Sequence, residues 1–383
     1  MTARAPLALL SSIARTRGPA SEPTHPTTQR ASLVRAILEA RAPFPRGGGA
    51  APRPWSDVPM LHLPTPFGDA TVVRRIRPAD RRHGERSPAD LLGRAGDGIA
   101  RMLLLAGDDA RRAGADPTRW LFVDAEATGL GGFTGNLAFV LAFGRYEGDA
   151  FVIDQYLVRS YEEEAAALHH AAGLIGQYDA AVSFNGRAFD VPLLETRAAM
   201  NGIPGGLGLA RLAQVDLLPA ARRVFGDRLP DVRLQTLEQE VLGIRRHDDL
   251  PGHLVPRAWF EYQHTADARP LLRVLTHNEL DVASLPLLAA LLADAAGPAP
   301  PWTFDARPLM SEDRRRAHIA VARRLDRLAA DATAAADALA HARRARDLLE
   351  AVLFPPADVR GRVERRIQRL SRRLDAQAPV AAV

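Results

Sequence analysis

Two carboxylates, Asp124 and Glu126, lie one residue apart inside the otherwise apolar segment WLFVDAEA. The segment has the composition of a buried β-strand, and residues i and i+2 of a strand point to the same face. Two like charges held close together on a buried strand are unfavourable unless cations balance them. A divalent metal ion is the simplest balance, although a D-x-E pattern is also common at an exposed strand end.

Further polar residues with metal-binding chemistry follow at two places along the chain. The segment SFNGRAFDVPLL carries Asn185 and Asp190 where a short strand is predicted to end and a helix to begin. The segment LTHNELDVASL carries His277 and Asp281 at positions i and i+4, which lie on one face of a helix. An ordinary Asn-Gly turn and a polar helix surface are the alternatives for these two segments.

A mixed α/β framework is predicted around these residues. The segments WLFVDAEA, NLAFVLAFGRYEG and AFVIDQYLVRS read as three strands, the last two joined by a hairpin at YEGDA. A helix capped by Ser160, a short strand AAVSF and a helix that begins near Phe189 come next, with Phe189 expected as a core anchor. A last helix closes the unit, and Pro286 is expected to kink it or to shift its start.

The three polar segments, taken in order, resemble the DEDD superfamily of 3′-to-5′ exonucleases. The segments DAEATGLGGFTGNLAF, FNGRAFDVPLLETR and HNELDVASL are most similar to the bacterial YprB-like branch, which consists largely of predicted nucleases. The resemblance covers roughly residues 121–292 and depends on all three segments together. It implies an α/β fold with a ribonuclease H-like mixed five-stranded sheet flanked by helices.

The resemblance also implies a metal site and a reaction. Carried over position by position, the four acids of the family are Asp124, Glu126, Asp190 and Asp281. Family enzymes bind two divalent cations, Mg²⁺ or Mn²⁺, and these hard ions prefer the oxygen ligands that the four acids supply. The implied reaction is hydrolysis of phosphodiester bonds at the 3′ end of single-stranded DNA or RNA.

His277 is predicted to act as the general base or to orient the attacking water, because its usual pKa near 6.5 suits proton transfer at neutral pH. Here the chain departs from the family pattern. One subclass has Tyr four residues before the last acid and another has His five residues before it, whereas His277 lies four residues before Asp281. Asn278 is a possible helper, and a structural capping role for His277 is the alternative.

Four residues are predicted to contact the substrate. The loop TGLGGFTGN contributes Thr128 and Gly129, whose neighbourhood is rich in small residues and would allow close approach of a terminal nucleotide. Phe133 in the same loop is predicted to stack on a base, and Asn185 completes the set. A bulge that starts the next strand is the alternative for this loop.

Three other polar features are predicted to lie outside the metal site. Asp216 is expected to cap a helix or to support the site from behind, and Glu279 is expected on a different helix face from Asp281. The segment RRHDDLPGHL, residues 245–254, is rich in His and Asp, but its spacing matches no metal motif. We expect it to be a solvated loop near the cleft.

Composition shifts divide the 383 residues into four predicted parts. These are a disordered N-terminal region (1–56), a flanking unit (57–118), a ribonuclease H-like exonuclease domain (119–297) and a helical region (298–383). The last part follows a Pro-rich joint, AGPAPPWTFDARP, and carries Ala, Leu and Arg at helical spacing. It loosely resembles tetratricopeptide repeats, although no regular period is evident.

The net charge favours a nucleic-acid partner, and the composition excludes some types of catalysis. The net charge of +5 suits phosphate contacts, but every basic residue is Arg, so codon bias also explains much of it. The absence of cysteine excludes disulfides and thiolate catalysis. No membrane association is expected, since the apolar runs are too short to span a bilayer and no signal peptide is evident, and a cytoplasmic location is the default expectation.

Two other classes of function compete with the exonuclease. One is a non-catalytic ribonuclease H-like scaffold that binds nucleic acid, or a protein partner through the C-terminal helices. The other is a metal-dependent phosphatase or dinucleotide hydrolase, which would use the same acids on a small substrate.

Overall fold

A seven-stranded mixed sheet forms the centre of the protein, as seen in a computed structural model that describes residues 53–94, 96–129, 135–297, 311–350, 352 and 355–375. In space the strands run in the order β1-β2-β5-β4-β3-β6-β7. The neighbouring pairs β1–β2, β2–β5, β5–β4 and β4–β3 are antiparallel, whereas β3–β6 and β6–β7 are parallel. The strands are β1 Leu61–Thr65, β2 Gly68–Pro78, β3 Trp120–Ala127, β4 Ala138–Glu147, β5 Ala150–Leu157, β6 Ala180–Ser183 and β7 Ala213–Asp216.

Helices cover both faces of this sheet. They are α1 Ala89–Leu92, α2 Asp97–Ala106, α3 Glu164–Ile175, α4 Asp190–Met200, α5 Leu217–Phe225, α6 Leu234–Leu237, α7 Val255–Thr265, α8 Arg269–Ala296, α9 Ser311–Asp331, α10 Ala335–Glu350 and α11 Ala357–Asp375. The described residues form two hydrophobic cores, one on each face of the sheet, and successive residues of β3 pack in different ones. Phe122 packs in the core that includes α2, α5 and α9. Val123 packs in the core that includes α3, α4 and α7. Burial on both faces explains why β3 begins as a continuous apolar run.

Helix α8 belongs to both cores, and this places its polar residues. Its N-terminal half contributes Leu271 and Val274 to one core, and its residues from Val282 onward pack in the other. The polar residues His277, Asn278 and Asp281 lie between these two apolar stretches. The helix runs without interruption through Pro286, so the expected shift of its start is wrong: it begins at Arg269, well before the proline.

The predicted sequence of three antiparallel strands, helix, strand and helix is confirmed, but the sheet has seven strands rather than five. The two additional strands are the hairpin β1–β2, in which β2 pairs with β5 from Val72 to Pro78. Without this hairpin β5 would be an exposed sheet edge, which proteins commonly cover. The hairpin comes from the part of the chain predicted as a flanking unit, and the proposed domain boundaries remain predictions.

The C-terminal helical region is also confirmed. Helix α9 packs on α10, which packs on α11, and α9 also contacts α5 and α8 of the sheet layer. The tetratricopeptide likeness stays a prediction. Residues 1–52, and with them most of the predicted disordered region, lie outside the described residues. Among the described helices, none has the length and apolar character needed to cross a membrane.

Candidate metal and catalytic site

Strand β3 places Asp124 and Glu126 at its C-terminal end, side by side on one face. Parallel pairing with β6 reaches only to Phe122, whereas antiparallel pairing with β4 continues past Glu126. One side of β3 is therefore without a strand partner at the position of the acids. The backbone N–H of Ala125 donates instead to Asp190 Oδ1, at 3.1 Å, so this carboxylate replaces the missing strand.

Asp190 reaches β3 because the chain turns sharply between β6 and α4. Asn185 has φ of 69°, in the left-handed region, and its N–H donates to Asp216 Oδ1 at 2.8 Å. At Gly186 a Cβ would lie 2.5 Å from Ser183 Oγ and 3.0 Å from Asp190 Oδ2, so only glycine fits. The predicted Asn-Gly turn is thus the element that brings the carboxylate of Asp190 to the site.

Asp216 has the supporting position that its sequence context predicted. In addition to the Asn185 N–H, its Oδ1 accepts from the Leu218 N–H at 3.0 Å, which caps α5. Glu279 likewise lies on a different face of α8 from Asp281, as predicted, and pairs with Arg75 and Arg77 of β2.

Helix α8 brings three polar side chains to the acids of β3. Asn278 is fully buried, and its Nδ2 donates to Asp124 Oδ2 at 2.6 Å. Gln155 of β5 in turn donates from Nε2 to Asn278 Oδ1 at 2.7 Å. One turn of the helix further on, Asp281 faces Glu126. Glu126, His277 and Asp281 each offer one ligand atom, and these atoms all lie within 4.8 Å of one another.

The loop between α6 and α7 supplies two residues that surround His277 and Asp281. Asp249 Oδ1 lies 2.7 Å from His277 Nδ1, and the opposite ring nitrogen, Nε2, lies 3.5 Å from Asp281 Oδ2. The Arg246 guanidinium contacts Asp281 Oδ1, and it also pairs with Glu238 at 2.6 Å and with Asp249 at 3.1 Å.

The expectation that residues 245–254 form a solvated loop near the cleft is confirmed for most of the segment, since six of the ten residues are exposed, but Arg246 and Asp249 are directed into the site. Arg246 is almost completely buried, because three acids from separate parts of the chain surround it and compensate its loss of water. Arg246, Asp249 and Glu238 are the site residues that the sequence analysis missed. The local signal was an Arg and an Asp three residues apart beside a His, which is too common a pattern to single out a site.

Burial and mutual repulsion perturb the acids at the site. Burial, followed by the charges of neighbouring carboxylates, raises the pKa of both Asp124 and Glu126 well above its usual value. Burial also raises the pKa of Asp190 to about 7, helped by the charges of Asp216 and Asp281 and opposed by backbone N–H donors. A pocket in which several acids disfavour one another's charged form has too little positive charge to balance them, even with Arg246 beside Asp281. Its oxygen-rich donor set fits hard divalent cations.

The predicted substrate residues lie in different environments. Thr128 closes the loop after β3: its N–H donates to Leu137 O, and its Oγ1 accepts from the Leu137 N–H, both at 3.0 Å. A Cβ on Gly129 would lie 2.5 Å from Asn136 Oδ1, so any other residue there would displace the Asn136 side chain. Phe133 lies outside the described residues. The substrate-binding roles of these residues, and that of Asn185, stay predictions.

Phe189 was expected to anchor the core, and this is wrong. The ring is 50% exposed at the N-terminus of α4, directly before Asp190. The core contacts of α4 are made instead by residues such as Leu194.

Comparison with known proteins agrees with this architecture. Residues 121–293 match the sequence model of the RNase_H superfamily. This part of the chain is a ribonuclease H-like domain. The uncharacterized protein YprB of Bacillus subtilis (strain 168) is 36% identical over 176 residues, which are 45% of this chain and 41% of that relative. The chain thus aligns with less than half of the relative's length, and the alignment is of the size of the ribonuclease H-like domain.

Proposed function

We propose that the ribonuclease H-like domain hydrolyses phosphodiester bonds at the 3′ end of single-stranded DNA or RNA, as a metal-dependent 3′-to-5′ exonuclease. The observation that carries the proposal is the convergence of Asp124, Glu126, Asp190 and Asp281. These acids come from three separate chain segments, and burial and repulsion raise the pKa of three of them. A protein maintains such a cluster at a cost in stability, which is typical of functional sites.

Two divalent cations, Mg²⁺ or Mn²⁺, would be held by the four acids Asp124, Glu126, Asp190 and Asp281. When bound, such ions lower the pKa of a water and stabilise the leaving oxygen in phosphodiester hydrolysis. The contribution of the chain is to fix the ligands in place. Asn278 holds the carboxylate of Asp124, the Ala125 N–H holds Asp190, and Arg246 holds one oxygen of Asp281.

Residues around the acids are available to contact single-stranded nucleic acid. Besides the predicted contacts of Thr128, Gly129, Phe133 and Asn185, the exposed ring of Phe189 directly precedes Asp190 and is available for stacking on a base.

A basic surface on α11 suits the phosphate backbone. Arg365, Arg369 and Arg372 are exposed at positions i, i+4 and i+7, and they form no ion pair with other described residues. We call these three residues the arginine stripe. Because binding to phosphates releases counterions, affinity for a single strand should fall steeply with salt. A protein partner for the C-terminal helices and a cytoplasmic location remain predictions from the sequence.

The test is hydrolysis of a 5′-labelled single strand by the full-length protein with Mn²⁺ or Mg²⁺. An exonuclease of the proposed polarity shortens the labelled strand stepwise, and a strand blocked at its 3′ end resists. The isosteric variant Asp124→Asn should lose at least about 100-fold in rate, because it removes a charged metal ligand. Asp97→Asn, which changes a largely exposed carboxylate on α2, should retain full activity.

Each outcome separates the candidate functions. Undiminished hydrolysis by Asp124→Asn would refute the metal site. Salt-dependent strand binding without metal-stimulated turnover would identify the non-catalytic scaffold. Turnover of a small phosphate ester or a dinucleotide, with intact longer strands, would identify a phosphatase or dinucleotide hydrolase.

A further inference from the structure

Asp249 fixes the orientation of the His277 ring through the ring nitrogen Nδ1, on the side away from Asp281. The side chain is only 8% exposed, and Asp249 Oδ1 lies 2.7 Å from its Nδ1. When Nδ1 carries the proton and donates to this carboxylate, Nε2 carries the free lone pair. This arrangement of a carboxylate, an imidazole and a metal is how proteins commonly orient a histidine ligand. The lone pair of Nε2 is thereby directed to the acidic pocket rather than to solvent.

The distance from Nε2 to the carboxylate of Asp281 matches that between two adjacent ligands of one ion. Two donor atoms that each lie about 2.1 Å from the same ion are about 3.0–3.5 Å apart when adjacent in the coordination shell. His277 Nε2 lies 3.5 Å from Asp281 Oδ2, and Glu126 offers a ligand atom within 4.8 Å of ligand atoms of these two residues. A general base acting through a metal-bound water would lie farther out, by about the 2.8 Å of one hydrogen bond.

The four-residue spacing between His277 and Asp281 also places both side chains where they can bind the same ion. Residues i and i+4 lie on one helix face, so His277 and Asp281 point in the same direction from α8. A histidine five residues before the acid would be rotated by about a further 100° around the helix, since each residue of an α-helix turns by that angle. The four-residue spacing of this chain therefore aligns the imidazole with the carboxylate.

We propose that His277 binds a divalent cation directly through Nε2, together with Glu126 and Asp281, and that Asp249 is the positioning residue for this ligand. The inference deepens the proposed function, since it concerns the metal site of that same reaction. A nitrogen ligand favours transition-metal ions over Mg²⁺, which prefers sites made only of oxygen. The site should thus select Mn²⁺, or a later transition metal, over Mg²⁺.

The experiment uses Mn²⁺ alone as the probe and does not depend on activity. Pulsed electron paramagnetic resonance of the Mn²⁺-loaded full-length protein should show hyperfine coupling to a directly bound ¹⁴N nucleus. Labelling the protein with ¹⁵N-histidine should convert this signal to a ¹⁵N coupling. His277→Gln should abolish it, and His264→Gln, which changes an exposed histidine of α7, should leave it unchanged.

The role of Asp249 is tested by affinity. Asp249→Asn should keep the nitrogen coupling but weaken Mn²⁺ binding by about 10- to 100-fold, the usual effect of losing a group that orients a ligand. His277→Gln should also shift the preference between the two ions toward Mg²⁺ in competition titrations. Both variants are checked for unchanged secondary structure by circular dichroism.

The results distinguish this inference from the proposed function. Bound Mn²⁺ without nitrogen coupling in the unmodified protein overturns the inference, even where strand hydrolysis is observed and even if His277→Gln does not fold. A protein that binds no Mn²⁺ overturns it as well. Nitrogen coupling in a protein that hydrolyses no strand supports the inference and refutes the exonuclease.

Discussion

Replacing Asp190 by Asn should make the metal-free protein more stable at pH 8. Burial raises the pKa of Asp190 from the usual 3.8 to about 7. The folded state therefore binds the proton more tightly than the unfolded state does. The resulting stabilisation is present in acid and is lost as the pH rises from about 4 to about 7. Asparagine has no charge to bury, and its side-chain oxygen still accepts from the Ala125 N–H.

The magnitude follows from the size of the pKa shift. About three pH units at 1.36 kcal/mol each give an upper limit of about 4 kcal/mol above pH 7. We expect about half of this, because the side chain is only partly buried and its acidic neighbours titrate with it. A gain of about 2 kcal/mol corresponds to about 4–8 °C in melting temperature for a domain of this size.

The assay is thermal and urea unfolding in a chelator at pH 5 and pH 8, with and without Mn²⁺. The advantage of Asp190→Asn should grow between the two pH values. Added Mn²⁺ should reverse it, because the ion stabilises only a protein that can bind it. The matched control is Asp154→Asn, which removes a buried carboxylate that is paired with Arg74 and Arg145 and should destabilise the protein at pH 8. If Asp190→Asn lowered stability at pH 8 in chelator, the claim that burial and acidic neighbours disfavour the charge of Asp190 would be refuted.

Two further substitutions test the supports of the site. Arg246→Gln should lower the free energy of unfolding by about 3–5 kcal/mol, measured by urea unfolding, because it leaves the buried carboxylate of Glu238 without its cation; a loss below about 1 kcal/mol would contradict this. Gly186→Ala should lower Mn²⁺ affinity, measured by titration, since the added methyl group would lie 3.0 Å from Asp190 Oδ2 and would displace this carboxylate. Gly173→Ala, at an open position on α3, is the control and should leave affinity unchanged.

The buried network around Arg246 also links the site to the rest of the fold. Glu238 accepts from Ser284 Oγ of α8 as well as from the guanidinium. Three separate parts of the chain, the turn directly after α6, the following loop and α8, are thereby held in one arrangement around Asp281. Loss of the metal should leave this arrangement intact, since Arg246 already neutralises part of the local negative charge.

The sequence by itself determined the local geometry of the acids. The two-residue period of a strand puts Asp124 and Glu126 on one face, and the four-residue spacing of His277 and Asp281 puts both on one face of α8. The glycine after Asn185 likewise indicated the turn ahead of Asp190. These features depend on covalent geometry and on short-range sterics, so they can be read from a few neighbouring residues.

Only the tertiary structure decided which distant groups surround those acids. Arg246 and Asp249 are polar residues in a loop, a type of segment that is usually solvated, and their burial depends on partners up to 35 residues away. The contact between Asn278 and Asp124 spans 154 residues. Pairing over such separations results from the packing of whole helices and strands against one another, because the free energy of burying an entire face outweighs the preference of any single side chain for water.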